Sequence, residues 1–231
     1  MERRGLVTMR AMNTLLPWFA VLTAVLLLAG YEAWLVAVAR ARPHAIARTA
    51  HALLRAEWVA SLSTQPGSEI LAVQTLRNSL MSATIAASTA ALALMGTLSL
   101  TAAAASRELA EVGAGHLSVR LALELLLLAT LFASYVCSAM AMRFFNHAGY
   151  VMSMPIGSPQ RTRHAPMAAR YVRRAGLLYS WGLRLFLYVA PVVAGLLSPW
   201  AMPVAALVLL GVLRAFDIGP GEGDHGLEAA G

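Results

Sequence analysis

Apolar side chains gather in runs at 15–39, 79–102, 121–142, 177–197 and 200–216, and the connections between them hold most of the arginines. Each run is longer than the roughly eight residues of a buried strand, so each predicts a helix. Crossing a hydrocarbon core of about 30 Å takes about 20 residues at a rise of about 1.5 Å each. The first three runs meet that length comfortably, and the last two are short. Those two are divided only by Ser198-Pro199-Trp200, with Pro203 in the next turn. They read as a hairpin of two short spans, with a re-entrant hairpin returning to the same side as the alternative. The fold class expected is an all-α integral membrane bundle of about five transmembrane helices plus an interfacial amphipathic helix. Irregular backbone at membrane depth would leave peptide groups unsatisfied.

The connections carry their own pattern. From Ala45 to Leu62, the residues Ile46, Ala50, Leu54, Trp58 and Leu62 recur every fourth position, while Arg48, His51 and Arg55 form a separate polar stripe. This predicts a helix lying in the membrane interface with its arginines toward water. The segment STQPGS at 63–68 ends it, and Ser68 is placed to cap the helix that enters the second run. In the connection after the third run, Pro166 suits the first turn of a short helix on which Arg170, Arg173 and Arg174 share a face. The domain organisation expected is an N-terminal tail at 1–14, one membrane domain at 15–216, and a disordered acidic, Gly-rich tail at 217–231. The basic start followed by apolar residues from Leu15 has the form of a secretory signal. The run exceeds the roughly 15 residues of a signal core, however, and reads as a retained span.

Composition supports lipid as the solvent. Of 231 residues 59% are hydrophobic and 13% charged, and the mean hydropathy is +0.66; an ordinary soluble domain is about 25% charged. All 18 basic residues are Arg. The lack of Lys excludes a Schiff base and a phosphate-loop lysine, and the chain has no Gly-rich phosphate fingerprint or paired-His zinc motif. With Cys137 alone, no intrachain disulfide can form. An Ala-rich, all-Arg chain fits a GC-rich bacterial genome. Twelve arginines flank the connections at 40–77 and 143–174 or follow the last run, against five on the other side. The positive-inside rule then gives an inner-membrane protein with an external N-terminus and a cytoplasmic C-terminus.

Four stretches, AGYEAWL, ILAVQTLRNSLMSATIAAST, MRFFNHAGY and GLRLFLYVAP, together resemble an uncharacterised membrane family of bacteria and plants. It is catalogued as domain of unknown function five-nine-nine. The resemblance covers about residues 28–217, with QTLRNSLM its most specific part. It implies a compact multi-span domain that stays in the membrane, and it implies no reaction, cofactor or catalytic residue.

Ionisable groups inside spans are costly unless paired or hydrated. Glu32 lies eight residues before Arg40, and Arg184 eight residues after Gly176, so both are about 12 Å deep from one side. They are expected to form a buried ion pair. A structural clamp, snorkelling to the interface, and a proton or ion relay are the competing roles, and Arg77 is the competing partner for Glu32. Glu124 stands four residues beyond Arg120, which suits an ordinary local pair.

In the second run, Thr75, Ser79, Ser82, Ala86, Thr89, Ala93 and Gly96 follow at alternating spacings of four and three. This small-residue stripe reads as a packing face or a polar-passage wall. Thr130, Ser134 and Ser138 repeat the theme more weakly. At the cytoplasmic exit, Arg77, Asn78, Asn146, His147 and Tyr150 are candidates to line a shallow cavity. Arg170, Arg173 and Arg174 suit anionic lipid headgroups rather than nucleic acid. Cys137, Met140, Met142, His147, Met152 and Met154 crowd the end of the third run, and soft ligands suit copper. Met140 and Met142 diverge by about 200° on a helix, so flexible packing is the expectation. No metal or cofactor is assigned.

No Ser, His and acid arrangement supports hydrolysis. The function expected is therefore a non-enzymatic accessory, regulatory or assembly protein of the membrane, with a membrane-protein partner or a second copy as its associate. The alternative is a small channel or transporter using Glu32, Arg184 and the hydroxyl stripe.

Overall fold

The computed structural model describes residues 2–42, 46–112 and 118–217, with side chains over 15–42, 46–103, 106–107 and 118–217. Six helices occupy them: α1 (Glu2–Ala41), α2 (Ala47–Leu62), α3 (Glu69–Val112), α4 (Val119–Met152), α5 (Pro159–Leu197) and α6 (Ala201–Asp217). The residues expected as an N-terminal tail belong to α1 from Glu2 onward. The segment 218–231, most of the expected acidic tail, lies outside the described residues.

Four segments are long and apolar enough to cross a membrane: Leu15–Ala41, Glu69–Ala103, Val119–Met152 and Pro159–Leu197. The run expected as a fifth span forms α6, whose 17 residues extend about 26 Å, slightly less than the hydrocarbon core. Within the most apolar stretch of each of the four, only 17 to 28% of residues are buried. Leu26, Ile85, Leu92 and Leu100 are among the large apolar side chains that point outward. Such a surface is stable in lipid and not in water, so the protein is a membrane protein.

The helix boundaries follow from local chemistry. Pro66 and Gly67 end the segment after α2, and Gly67 takes a φ of +83° that favours glycine. Ser68 stands at the start of α3, but its hydroxyl donates to the Leu62 carbonyl at 2.9 Å and so ties the end of α2 to α3. Ser118 caps α4 by accepting from the Leu121 N–H at 3.0 Å. Ser158 caps α5 at 3.2 Å from the Arg161 N–H, and Pro159 follows in the first turn. The expected short helix starting near Pro166 is thus corrected. The cap at Ser158 starts the helix earlier, and Pro166 lies inside a helix that continues without interruption to Leu197.

In lateral order α3 packs on α4, α4 on α5, α5 on α6 and α6 on α1, while α2 lies along the first half of α5. Two apolar cores result. One joins Val59 and Leu62 to Leu76, Phe145, Val151 and Val172 near the connections. The other joins Val21 and Leu28 to Leu123, Leu127, Val192 and Met202 toward the opposite end.

The orientation of α2 differs from the expectation. Its inward face is Ala52, Val59 and Leu62 together with Arg48 and Arg55, whereas Leu54 from the expected apolar stripe is 61% exposed. Specific partners on α1 and α5 receive the two arginines, and that outweighs simple amphipathic sorting.

Candidate functional site

Between the two cores, α5 presents Trp181, Arg184 and Tyr188 on one face, at spacings of three and four residues. Arg184 is the centre of a node that joins four helices. Its Nη1 lies 2.9 Å from Glu32 Oε1 on α1, and its Nη2 donates to the Asp217 carboxylate at the last residue of α6. The Tyr188 hydroxyl donates to Glu32, and the Tyr31 hydroxyl donates to Asp217 Oδ2 at 2.8 Å. From α2, Arg48 Nη2 stands 3.5 Å from Glu32 Oε2, and its guanidinium lies 4.4 Å from the Trp181 ring centroid. The side chains of Arg184, Asp217, Arg48 and Glu32 are only 5%, 11%, 12% and 15% exposed.

Beside the node, Tyr31 stacks on Trp34 at 5.7 Å, and Arg214 sits 5.7 Å from the Trp34 ring. Two arginines meet two carboxylates, so the formal charges cancel. Removing such charges from water costs several kcal/mol per ion, and the cost is offset only where geometry and further hydrogen bonds satisfy the remaining atoms. Both carboxylates here accept from an arginine and from a tyrosine. The arrangement can hold four helices in register. No group of three or more His, Cys, Asp or Glu able to hold a metal occurs among the described residues.

The structure thus brings Glu32 and Arg184 together, with Arg48 and not Arg77 as the second cation on Glu32. Arg77 is exposed on α3. Asp217 corrects the reading of the C-terminal tail. The sequence places it first in a disordered segment, yet it is a helix residue, 8% exposed, pulled inward by Arg184 and Tyr31. Its sequence signal was its place three residues after Arg214, on a helix that still had an apolar face. Arg48 and Tyr188 were missed, although Tyr188 stands four residues from Arg184.

The small-residue stripe has no contact with this node. Thr75, Ser82, Thr89 and Gly96 are exposed and Ser79 is half-buried. The four hydroxyls each donate to the carbonyl four residues earlier on their own helix. The buried face of α3 is instead Ala72, Leu76, Ala83, Ala87 and Ala90. On α4, Ser134 donates to the Gly182 carbonyl of α5 at 2.7 Å, where the two helices pass closely.

Arg77, Asn78, Asn146 and Tyr150 are exposed and are not gathered into one cavity. His147 is half-buried, with its ring 5.8 Å from that of Tyr171. Arg170, Arg173 and Arg174 are exposed on α5, opposite the buried Ala168, Val172 and Ala175. Glu124 is buried and accepts from the exposed Arg120 at 3.0 Å.

Arg161, not singled out in the sequence, is 2% exposed. Its Nη1 donates to the Val151 and Met154 carbonyls at 2.9 and 3.3 Å, and so closes the end of α4. The two connections at this end are also tied together, since Glu69 Oε1 accepts from the Ile156 N–H at 3.1 Å.

No curated protein and no solved structure matches the chain. A family model does, over residues 19–220, which takes in α2 to α6, α1 from residue 19 onward and all the residues of the node. Two of the stretches that carried the resemblance, AGYEAWL and GLRLFLYVAP, supply Tyr31, Glu32, Arg184 and Tyr188. The chain belongs to the family described as protein of unknown function, DUF599.

Proposed function

We propose that the protein is a non-enzymatic, non-conducting multi-pass protein of the inner membrane that supports or assembles with other membrane components. The observation that carries this reading is the separation of its two polar features by the width of α5. Gly182, which borders the hydroxyl stripe, and Arg184, which centres the node, are two residues apart and diverge by about 200° around the helix. A passage would need the charged groups and the hydroxyls along one path. The node is also neutral, nearly closed to solvent and fully paired, which suits a clamp. The hydroxyls of α3 bond back to their own backbone and give no continuous polar wall.

The exposed Arg170, Arg173 and Arg174 suit anionic headgroups on the cytoplasmic side, with the N-terminus outside. The lateral row of helices has two ends, α3 and α1, that share no extensive contact, and each leaves an apolar flank for a neighbouring protein.

Purified protein in proteoliposomes loaded with a pH-sensitive dye, under an imposed potential, tests the reading. The expected result is ion and proton leak equal to that of empty liposomes, unchanged in Glu32→Gln. A flux above background that Glu32→Gln abolishes would establish the transporter reading instead.

A further inference from the structure

At the end of the bundle where α2 lies on α5, one inward-facing arginine has no partner among the described residues. Arg55 faces inward from α2, and no carboxylate or other acceptor meets its guanidinium among the described residues. Burial pulls its pKa below the ordinary arginine range, with no acid to restore it. The guanidinium lies close against Gly176. A Cβ there would fall 2.9 Å from Arg55 Nε and closer still to Nη1, so the missing side chain at 176 is what gives the cation its seat.

Arg55 opens onto a hollow of about 310 Å³ whose other walls are Trp58, Thr75, Ser79, Phe145 and Val172. A second hollow of about 220 Å³ follows along the same flank of α3, bounded by Ser82, Ala86, Thr89, Gly182 and Phe186. The two lie end to end between α3 and α5. From Thr75 to Thr89 they extend about 21 Å, against about 15 Å for the hydrocarbon of one leaflet. The walls are apolar or small, and the only unpaired charge stands at the end nearest the connections.

We propose that this groove seats one anionic phospholipid, its phosphate on Arg55 and one acyl chain laid between α3 and α5. The inference goes beyond the functional reading above and does not depend on it. Charge decides the occupant. A partner helix of apolar side chains would leave Arg55 buried without an anion, a costly state, whereas a phosphate supplies oxygens for the guanidinium fork. Trp58 at the mouth has the amphipathic ring that favours the headgroup level. The exposed Arg170, Arg173 and Arg174 would attract anionic lipid generally, while Arg55 selects a single molecule.

Native mass spectrometry of the detergent-solubilised protein, titrated separately with phosphatidylglycerol and phosphatidylcholine, tests this. The expected result is one phosphatidylglycerol retained under conditions that strip the rest, with phosphatidylcholine at least several-fold weaker. Arg55→Gln lowers that occupancy about tenfold, as loss of a charge-assisted hydrogen bond requires. Gly176→Ala lowers it with the fold intact, because the new methyl meets only the mobile end of Arg55. Ala86→Phe lowers it by filling the groove while every charge remains. The triple variant R170Q/R173Q/R174Q keeps the single retained lipid. Equal retention of the two lipids would overturn the proposal. So would wild-type retention in both Arg55→Gln and Gly176→Ala, or recovery of a protein rather than a lipid by a photo-crosslinker at Ser82.

Discussion

Replacing Arg184 by leucine removes the one cation shared by Glu32 and Asp217, and the structure sets the size of the effect. Glu32 keeps Tyr188 and the longer 3.5 Å contact to Arg48, but Asp217 is left with Tyr31 alone, at 11% side-chain exposure. Breaking a buried pair by removing one partner costs about 3–5 kcal/mol, mostly for the charge left behind. Arg184→Leu is therefore expected to lower stability by about 3–4 kcal/mol, toward the lower half of that range because Glu32 retains a cation. Asp217→Asn should cost less, about 1–2 kcal/mol, since Arg184 still holds Glu32 at 2.9 Å. The double variant Arg184→Leu/Asp217→Asn leaves Glu32 facing Arg48 and no uncompensated charge, and should regain more than half of the loss seen in Arg184→Leu. Equilibrium unfolding in mixed detergent micelles, followed by tryptophan fluorescence, measures all three, and Trp34 and Trp181 lie beside the node as reporters. If Arg184→Leu stays within about 0.5 kcal/mol of wild type, or the double variant is less stable than Arg184→Leu, the charges are not coupled and the clamp is wrong.

Other substitutions probe contacts away from the node. At Gly182 a Cβ would lie 2.5 Å from Ser138 Oγ and 3.3 Å from the Ser134 carbonyl, so Gly182→Ala should cost about 1–3 kcal/mol by overpacking, seen as a lower melting temperature. Arg161→Met keeps the side-chain volume but frees the Val151 and Met154 carbonyls. It should cost about 1.5–3 kcal/mol and speed amide exchange at the end of α4. Arg120→Ala should cost about 1–3 kcal/mol in the same assay, because Glu124 is only 5% exposed and its carboxylate loses the arginine it accepts from.

How much of this could be read in the sequence depends on whether periodicity or pairing decided the outcome. The long helices were legible because lipid-facing runs are continuous and need no knowledge of their neighbours. Glu32 and Arg184 were legible because an ion at membrane depth demands a partner, and equal depth from one side supplied it. Asp217 was not, since it stands at the border of a Gly-rich acidic segment and only the Arg184 guanidinium and Tyr31 hydroxyl draw it into the helix. The stripe on α3 shows the opposite failure. Its 3.5-residue spacing is real, but α4 packs against the neighbouring face through Ala83, Ala87 and Ala90, because alanines allow an approach as close as the hydroxyl residues do. On α2 the apolar spacing places Ile46 and Leu62 inside but Leu54 outside, since Arg48 and Arg55 turn inward to answer Glu32, Trp181 and Gly176, none of which lies on α2 itself.

That inward face links the node to the groove in one direction only. Arg48 and Arg55 are seven residues apart, two turns along one face, so the contact of Arg48 with Glu32 and Trp181 sets the rotation of α2 that lays Arg55 on Gly176. Arg55 contributes nothing to the node in return. Glu32→Gln is therefore expected to weaken retention of phosphatidylglycerol although the groove residues are untouched, by about three- to tenfold if α2 loses one charge-assisted contact. Arg55→Gln should not lower the unfolding free energy by more than about 0.5 kcal/mol, because it removes a buried cation that has no protein partner. Native mass spectrometry and equilibrium unfolding on the same two variants measure both arms. Undiminished lipid retention in Glu32→Gln would show that α2 is held in place by its apolar contacts, Val59 and Leu62, and that node and groove are independent.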